Sequence, residues 1–291
     1  MSDSWLEKII LGTVQFGLDY GSGEINKMPS NLEINQILDK ALANGINIID
    51  TAPSYGNSEN KIGFFNKREE LSIITKYSNN HKNINFTDIK KSLICSLENL
   101  RLSKVDCLLF HNAESFLQKG KEEINSLAYE LKKEGLIKKI GISVYTPQEA
   151  LNSLDKGIDV IQIPFNILDG RWEQRGVLKK LKGNKIEIHA RSVFLQGLLL
   201  NEPKLVPLKF QKWNYIFSAF SKWCNENQLS RLDGALNYVL SNKDIDKVLI
   251  GVNSLSQLSQ ILRMKSRKRF TLPEFRVCDE NLLNPSKWSS I

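Results

Sequence analysis

The stretch GINIIDTAPSYGNSEN, residues 45–60, contains the strongest local pattern in this chain. An apolar, β-branched run ends at Asp50, and a turn rich in glycine, proline and serine then carries Tyr55. β-Branched residues favour strands, whereas Gly, Pro, Asn and Ser favour turns. The stretch is therefore predicted to be a buried strand followed by a loop that carries ionisable side chains.

The next two apolar runs along the chain also end at ionisable residues. LSIITK ends at Lys76, and VDCLLFH ends at His111. A buried strand of apolar residues does not normally end at an ionisable residue by chance. If the three strands are neighbours in one barrel, these side chains and Tyr55 meet at the mouth formed by the carboxyl ends of the strands. The pattern therefore predicts a proton-transfer site.

Eight strand candidates alternate with helix candidates along the chain. The strands are predicted at 9–14, 46–50, 71–75, 105–110, 138–143, 159–164, 185–190 and 247–251. Helical spacing of apolar residues predicts helices at 31–44, 87–100, 123–134, 228–240 and 254–264, and another that begins at Pro147. Strands that alternate with helices pair in parallel, and eight such units indicate an α/β fold of the (β/α)8 type, a TIM barrel.

A doubly wound open sheet is the alternative architecture, but the dinucleotide fingerprint GxGxxG is absent from the sequence. The aromatic-rich segment 196–227 predicts an extra helix after strand seven, and the tail 270–291 is expected to cover one barrel end. Neither a linker nor an internal repeat interrupts the chain. A single domain spanning 1–291 is therefore expected.

Composition limits the classes of partner and the cellular compartment. The net charge of +8 favours anionic partners, but no zinc finger, RRM or basic-aromatic repeat supports binding to nucleic acid. No apolar run approaches the roughly 18 residues of a membrane-spanning helix, and no signal peptide is recognised. The four cysteines form no CxxC pair, which favours free thiols in the cytoplasm and no metal site.

Acid–base chemistry at the mouth follows from the four residue types. A free tyrosine has a pKa of about 10 and holds its proton too tightly at neutral pH. An ammonium group such as that of Lys76 lowers this pKa, and Asp50 can hold the ammonium in place. His111 can donate a hydrogen bond to a substrate carbonyl. Each residue alone also has a structural explanation, but the conjunction of all four favours protonation of an oxygen as a hydride reaches carbon.

Several longer segments resemble a known family. GINIIDTAPSYGNSENKIG, LSIITK and LLFHN are followed in order by GISVYTP, IQIPFNILD, RSVFLQGLLL and LIGVNSLSQL. Over almost its whole length the chain resembles the aldo-keto reductases. The resemblance implies a (β/α)8 barrel that binds NADPH without a Rossmann domain and reduces carbonyl groups. It also implies that Tyr55 is the general acid, that Asp50 and Lys76 tune it, and that His111 orients the carbonyl.

The resemblance further implies a set of cofactor contacts. The matching positions are Gly12, Thr13, Ser143, Gln162, Arg191, Ser192, Gly197, Gly251, Val252, Asn253, Ser254 and Gln257. Arg191 stands where the family often places an aromatic ring under the nicotinamide. The NADP-selective lysine and arginine of the family are replaced by Gly251 and Gln257, so NADH is kept as the alternative to NADPH.

Substrate contacts are predicted for Tyr20, Asn112, Arg171 and Trp172. The expected partner is a small carbonyl compound, with a sugar derivative as one candidate, and the expected assembly is a monomer or a small homo-oligomer. Two other functions stay open. One is a non-catalytic, nucleotide-binding regulatory barrel, and the other is a barrel isomerase or epimerase that uses His111 and Lys76 as bases.

Overall fold

Eight parallel strands close into a barrel in which each strand pairs with its neighbours in chain order, β1 to β8. The structure is a computed structural model, and it describes residues 5–21, 27–78, 85–172, 176–264 and 275–290. The strands are β1 Ile9–Gly12, β2 Ile48–Asp50, β3 Ser72–Tyr77, β4 Val105–Phe110, β5 Ile137–Ser143, β6 Val160–Pro164, β7 Glu187–Arg191 and β8 Lys247–Gly251. Helices lie between them, so the predicted TIM barrel is confirmed.

Twelve α-helices are present within the described residues. They are α1 Val14–Gly17, α2 Asn31–Ala43, α3 Ser58–Gly63, α4 Phe86–Leu100, α5 Ala113–Leu117, α6 Lys121–Lys133, α7 Pro147–Asn152, α8 Val177–Gly183, α9 Asn214–Glu226, α10 Arg231–Ser241, α11 Leu255–Leu262 and α12 Glu280–Leu283. None of these helices is long and apolar enough to cross a membrane.

Side-chain caps account for two of the helix starts that differ from the predictions. The helix expected from residue 87 begins one residue earlier, because the Asn85 side chain accepts a hydrogen bond from the Asp88 backbone N–H at 2.8 Å. The helix expected from residue 228 begins at Arg231, because Ser230 caps it and Gln228 has a left-handed φ of 53°. Capping chemistry therefore decides these ends more strongly than hydrophobic spacing.

The core has two layers, one inside the barrel and one between the barrel and its helices. The inner layer is small and is formed by Ile10, Ile74, Cys107, Leu109 and Val160. Ile48 and Leu249 pack against this inner layer. The outer layer contains the buried faces of the helices and the alternate strand residues. This division gives each strand one inward and one outward face, as the two-residue period requires.

The inward face carries the polar groups to the mouth. Three polar residues each follow an inward-facing apolar residue by two positions. Asp50 follows Ile48, Lys76 follows Ile74, and Gln162 follows Val160. His111 likewise follows Leu109 by two positions. Since successive inward side chains are two residues apart, all four belong to the next interior layer, at the carboxyl ends of the strands.

The segment after β7 and the tail both pack beside the mouth. A series of 3₁₀ turns leads from β7 into α9, which confirms the extra helix predicted in 196–227. The predicted tail residues 270–274 and 291 lie outside the described residues. In the described part of the tail, Pro285 and Ser286 line the cavity at the mouth. The Trp288 and Phe210 rings pack together with their centres 4.7 Å apart.

Candidate active site

A buried ion pair lies at the base of the mouth. Lys76 Nζ forms a very short contact with Asp50 Oδ1, and the two side chains are 0% and 2% exposed. Gln162 Nε2 donates to the other carboxylate oxygen at 2.9 Å, and Lys76 Nζ also donates to the Thr51 carbonyl at 3.0 Å. A buried charge is tolerable when it is paired and hydrogen-bonded. Asp50 thus has both oxygens occupied within the protein.

Tyr55 lies above this pair, as the sequence pattern predicts. The Lys76 ammonium is 4.9 Å from the centre of the Tyr55 ring. The pKa of Tyr55 nevertheless lies above its usual value, because burial of the phenol outweighs the lowering by Lys76. Lys76 does lower this pKa, as the sequence argument predicts, but the sequence argument left out the larger effect of burial. The phenol keeps its proton at neutral pH.

His111 approaches Tyr55 edge-on, with ring centres 6.1 Å apart. Its Nδ1 atom forms a 2.8 Å hydrogen bond with the Ser78 hydroxyl. Burial, together with the positive charges of Lys76 and Arg191, lowers the pKa of His111 to about 3. The imidazole is therefore neutral at physiological pH, and its second ring nitrogen is the group that can serve a ligand.

A cavity of about 530 Å³ opens above these groups. Fourteen of the predicted site residues line it. They are Gly12, Tyr20, Asp50, Tyr55, His111, Ser143, Gln162, Arg191, Ser192, Gly197, Gly251, Val252, Asn253 and Gln257. Lys76 is not part of the lining, but it contacts two residues that are, Asp50 and Tyr55. The volume falls within the usual range of about 300–1,000 Å³ for small-molecule sites.

Two predicted cofactor contacts are engaged elsewhere in the protein. The Thr13 hydroxyl donates to the Asp50 carbonyl at 2.9 Å and accepts from the Ser58 hydroxyl at 2.8 Å. The Ser254 hydroxyl caps α11 by accepting from the Gln257 N–H at 3.2 Å. Neither side chain lines the cavity. Both residues shape the surrounding backbone.

Three of the four predicted substrate contacts lie outside the cavity lining. Arg171 is buried and forms a bidentate ion pair with Asp169, with nitrogen–oxygen distances of 2.9 and 2.6 Å. Trp172 is fully buried. Asn112 caps α5 by accepting from the Glu114 N–H at 2.9 Å. Tyr20 alone of the four reaches the cavity, because the other three side chains are engaged in packing, pairing or capping.

Tyr20 is held over the cavity by the segment that follows β7. Gln196 Nε2 donates to the Tyr20 hydroxyl at 2.9 Å, and burial raises the pKa of Tyr20 to about 12. Ser192, Leu195 and Gln196 all have left-handed backbone conformations, with φ between 49° and 59°. Such conformations are costly for these residue types and concentrate at functional sites. The segment therefore forms a tightly constrained wall.

Arg191 crosses from the end of β7 towards the loop after β5. Its guanidinium lies 4.3 Å from the centre of the Tyr145 ring, and Nη2 donates to the Val144 carbonyl at 2.9 Å. Tyr145 also lines the cavity but was not predicted as a site residue. Stacking of a guanidinium on an aromatic ring is favourable and leaves its remaining N–H groups free to bind a ligand.

The turn before α11 differs from the anion site that the sequence suggests. Glu33 Oε1, on α2, accepts from the Leu255 N–H at 3.0 Å, and Gln257 Oε1 accepts from the Asn253 N–H at 2.7 Å. With Ser254 bound to the Gln257 N–H, three of the amides at this helix start are already satisfied by side chains. These amides are the groups that would otherwise attract an anion.

Two buried polar atoms near β8 have no protein partner. They are Gln15 Oε1 and Asn253 Nδ2, and both residues line the cavity. A side chain at Gly251 would place its Cβ 2.3 Å from Gln15 Nε2, so the glutamine amide would have to move to admit one. Buried polar atoms normally have partners. A ligand that supplies one donor and one acceptor would satisfy both atoms.

The residues of the site that sequence reasoning missed include Gln15, Glu33, Ser78, Tyr145 and Gln196. Only Ser78 left a usable signal, since it follows Lys76 by two positions and so continues the inward face of β3. Among the described residues, no cluster of three His, Cys, Asp or Glu side chains could hold a metal ion.

Comparison with known proteins identifies the family. A model described as "Aldo/keto reductase family" matches residues 8–282. The chain belongs to the aldo/keto reductase family. It is accordingly an oxidoreductase, and the resemblance seen in its short motifs is confirmed over nearly the whole chain.

Individual relatives of this family member are distant. It is 27% identical to "Uncharacterized oxidoreductase YqkF" of Bacillus subtilis over 95% of this chain and 92% of that protein. It is also 27% identical to the "NADH-specific methylglyoxal reductase" of Escherichia coli over 74% of this chain and 77% of that protein. A solved structure from Pseudomonas aeruginosa with an aldo-keto reductase name has a TM-score of 0.67 at 22% identity, covering 89% of both chains, which supports the fold.

Proposed function

We propose that the protein reduces a small aldehyde or ketone with a reduced nicotinamide dinucleotide, and that Tyr55 donates the proton. The observation that carries the proposal is the convergence of Tyr55 and His111 on one cavity above the buried Asp50–Lys76 pair. Relatives named for glyoxal and methylglyoxal reduction support a small carbonyl substrate. We place the activity in a single cytoplasmic domain spanning 1–291.

Proton delivery follows from the state of Tyr55. A bound reduced nicotinamide would supply the hydride to the carbonyl carbon. Burial raises the pKa of Tyr55, so the phenol is protonated and able to donate as negative charge develops on the carbonyl oxygen. The phenolate that remains is stabilised by the Lys76 ammonium, 4.9 Å from the ring centre. The Lys76 ammonium therefore contributes most after Tyr55 has given up its proton, when it stabilises the phenolate.

The carbonyl oxygen would be positioned by His111. Because this imidazole is neutral, its two nitrogens have different roles. If the Ser78 hydroxyl donates to Nδ1 across the observed 2.8 Å, the ring proton resides on Nε2 and can be donated to the carbonyl. A neutral donor also avoids competing with Tyr55 as the source of the proton. Ser78 is in this scheme a positioning residue.

The cavity suits an extended dinucleotide. One end contains the reacting side chains, and the other end is formed by Gly251, Asn253 and Gln257 beside α11. Gln15 Oε1 and Asn253 Nδ2 belong to lining residues and are buried without a partner. Ser143 and Gln162 lie at the paired ends of β5 and β6, where they would face the nicotinamide carboxamide. These residues therefore fit the cofactor.

The choice between NADPH and NADH depends on the α11 end. Glu33 places a carboxylate on the first amide of α11, and Gly251 and Gln257 carry no positive charge. Arg263 caps the opposite end of the same helix. A 2′-phosphate would meet a carboxylate and satisfied amides here, which opposes its binding. We therefore favour NADH as the cofactor over the NADPH that the resemblance implies.

The two other functions gain no specific support. Asp50 and the buried Tyr55 phenol raise the pKa of Lys76 against the opposing effect of burial, which leaves it charged and unsuited to act as a base in isomerisation. A purely regulatory barrel has no need for an intact proton donor in contact with a buried ammonium. Carbonyl reduction, by contrast, uses Asp50, Tyr55, Lys76 and His111 together.

Replacement of Tyr55 by phenylalanine tests the assignment. General acid catalysis contributes about 10²–10⁴-fold, so Tyr55→Phe should lower kcat for methylglyoxal by that factor while the Kd for NADH stays nearly constant. Substrate turnover would be followed by NADH absorbance and cofactor binding by quenching of the tryptophans. Tyr20→Phe, which removes the other phenol in the cavity, is the matched control. Full activity of Tyr55→Phe would exclude Tyr55 as the proton donor.

A further inference from the structure

Arg191 carries a positive charge that lacks a carboxylate partner among the described residues. Among the described residues it contacts the Tyr145 ring, the Val144 carbonyl and the Ser192 hydroxyl, the last at 3.3 Å. None of the ion pairs formed by described residues includes it. By contrast, the buried Arg171 forms a bidentate ion pair with Asp169. An arginine that is held in place but not neutralised is available to a ligand.

The cavity as a whole has an uncompensated positive charge. Asp50 and Arg191 are the only charged side chains among its described lining residues. The charge of Asp50 is balanced by Lys76 directly beneath it. His111 is neutral because its pKa is about 3, and the phenols of Tyr20 and Tyr55 have raised pKa values and are protonated. The guanidinium of Arg191 therefore sets the sign of the field that a ligand meets.

This charge acts on the groups that would hold the reacting carbonyl. The Arg191 charge lowers the pKa of both His111 and Tyr55, which places the guanidinium within electrostatic reach of the two side chains. A substrate whose carbonyl oxygen contacts these two groups has its other substituents close by in the same cavity. A negative group on the substrate would find its counter-charge there without displacing any protein carboxylate.

We propose that Arg191 binds an anionic group, a carboxylate or a phosphate, that the substrate carries near its reacting carbonyl. The preferred substrates would then be aldehyde or keto acids, or phosphorylated aldehydes, and neutral aldehydes would be poorer. The planar guanidinium matches both anions through paired N–H groups, and stacking on Tyr145 holds its plane fixed. This inference rests on the proposed reductase function and names its substrate class.

Matched pairs of substrates test the proposal. Glyoxylate would be compared with acetaldehyde, and glyceraldehyde 3-phosphate with glyceraldehyde, in the wild type, Arg191→Gln and Arg191→Lys. A hydrogen-bonded charge pair corresponds to roughly 10- to 100-fold in kcat/KM, so the wild type should prefer the anion by that factor. Arg191→Gln should abolish the preference, and Arg191→Lys, which keeps the charge but not the fork, should retain part of it.

Arg68→Gln is the control for loss of one positive charge. Arg68 lies outside the cavity lining and contacts the Arg101 carbonyl and Glu69, so its substitution should leave the preference unchanged. The Kd for NADH is measured in every variant. If Arg191→Gln weakens NADH binding and leaves the anion preference intact, Arg191 serves the cofactor and the proposal is overturned.

A binding measurement separates this inference from the reductase assignment. Oxamate and its neutral amide, oxamide, differ by one carboxylate and cannot be turned over by this reaction. In the presence of NADH, oxamate should raise the Tm of the wild type and of Tyr55→Phe, but not that of Arg191→Gln, and oxamide should raise none of them. Equal shifts by the two compounds would refute the anion site. Turnover of neither aldehyde pair, with the oxamate shift intact, would refute the reductase function alone.

Discussion

The two ends of the cavity are built on opposite principles. At the reaction end, the charges of Asp50 and Lys76 are paired, buried and hydrogen-bonded before any ligand arrives. At the β8 end, Gln15 and Asn253 each leave a buried polar atom unpartnered. The first end is complete within the protein, and the second end is completed by whatever binds there.

Buried polar groups therefore have two different uses. Those that take part in a reaction are best paired in advance, and those that bind a ligand are best left without a protein partner. Charges that act in a transition state must already be in position, since reorganising them would cost part of the rate enhancement. Groups that recognise a cofactor gain most when they have no protein partner to give up. The comparison therefore predicts that substitutions at the reaction end weaken folding, whereas those at the β8 end weaken cofactor binding.

Lys76→Met should have the largest effect. It leaves the Asp50 carboxylate in the barrel interior without a cation, which typically costs about 3–5 kcal/mol of unfolding free energy. Urea unfolding followed by tryptophan fluorescence would measure the loss. The double variant Asp50→Asn/Lys76→Met removes both charges and should recover a substantial part of it. If Lys76→Met alone were as stable as the wild type, the Asp50–Lys76 pair would not be buried as described.

A matched pair of glutamines compares the two ends directly. Gln162→Met removes a 2.9 Å hydrogen bond to a buried carboxylate and should cost about 1.5–3 kcal/mol of stability. Gln15→Met removes an atom that has no partner, so its cost should be below about 1 kcal/mol. Titration with NADH should instead show weaker binding to Gln15→Met. The contrast between the two ends fails if both variants lose the same stability and the same affinity.

His111 should make stability depend on pH in the acidic range. Its pKa is about 3 in the folded protein and 6.5 when unperturbed, so the unfolded chain binds the proton more readily between these values. The contribution to stability is present above pH 6.5 and is lost as the pH falls towards about 3. The slope attributable to this residue is at most about 1.4 kcal/mol per pH unit, reduced because part of the ring is exposed.

The measurement compares urea midpoints of the wild type and His111→Gln from pH 7 down to pH 4. The variant should show a flatter profile over this interval, because its side chain does not titrate. Identical profiles would indicate that His111 keeps its ordinary pKa in the folded protein.

Glu33→Gln should have the smallest effect. A charge at a helix start is worth about 0.3–1 kcal/mol, so neutralising this carboxylate should improve the Kd for NADPH relative to NADH by roughly two- to five-fold. Asp39→Asn, which neutralises another carboxylate on α2 in an exposed pair with Lys67, is the control. An unchanged NADPH/NADH ratio in Glu33→Gln would remove this carboxylate from the cofactor choice.

Much of the fold was predictable because its signals are local. β-Branched runs, turn residues and helical spacing place the eight strands close to their observed positions, and the two-residue period carries Asp50, Lys76 and His111 to one interior layer. Helix ends were less predictable, since Asn85 and Ser230 act as caps one or more residues away from the hydrophobic pattern.

By itself the sequence determined the barrel and the layer of strand-end side chains, and it predicted the groups that we propose move a proton. Only the tertiary structure decided which partner each polar group takes. Gln162 donates to Asp50, Glu33 accepts from the first amide of α11, Ser78 hydrogen-bonds to His111 and Arg171 pairs with Asp169. Arg191 is then the lining cation without a carboxylate partner among the described residues. Except for the Arg171 pair, these contacts join residues distant in the chain, and geometry after folding, not residue type or spacing, selects among the available donors and acceptors.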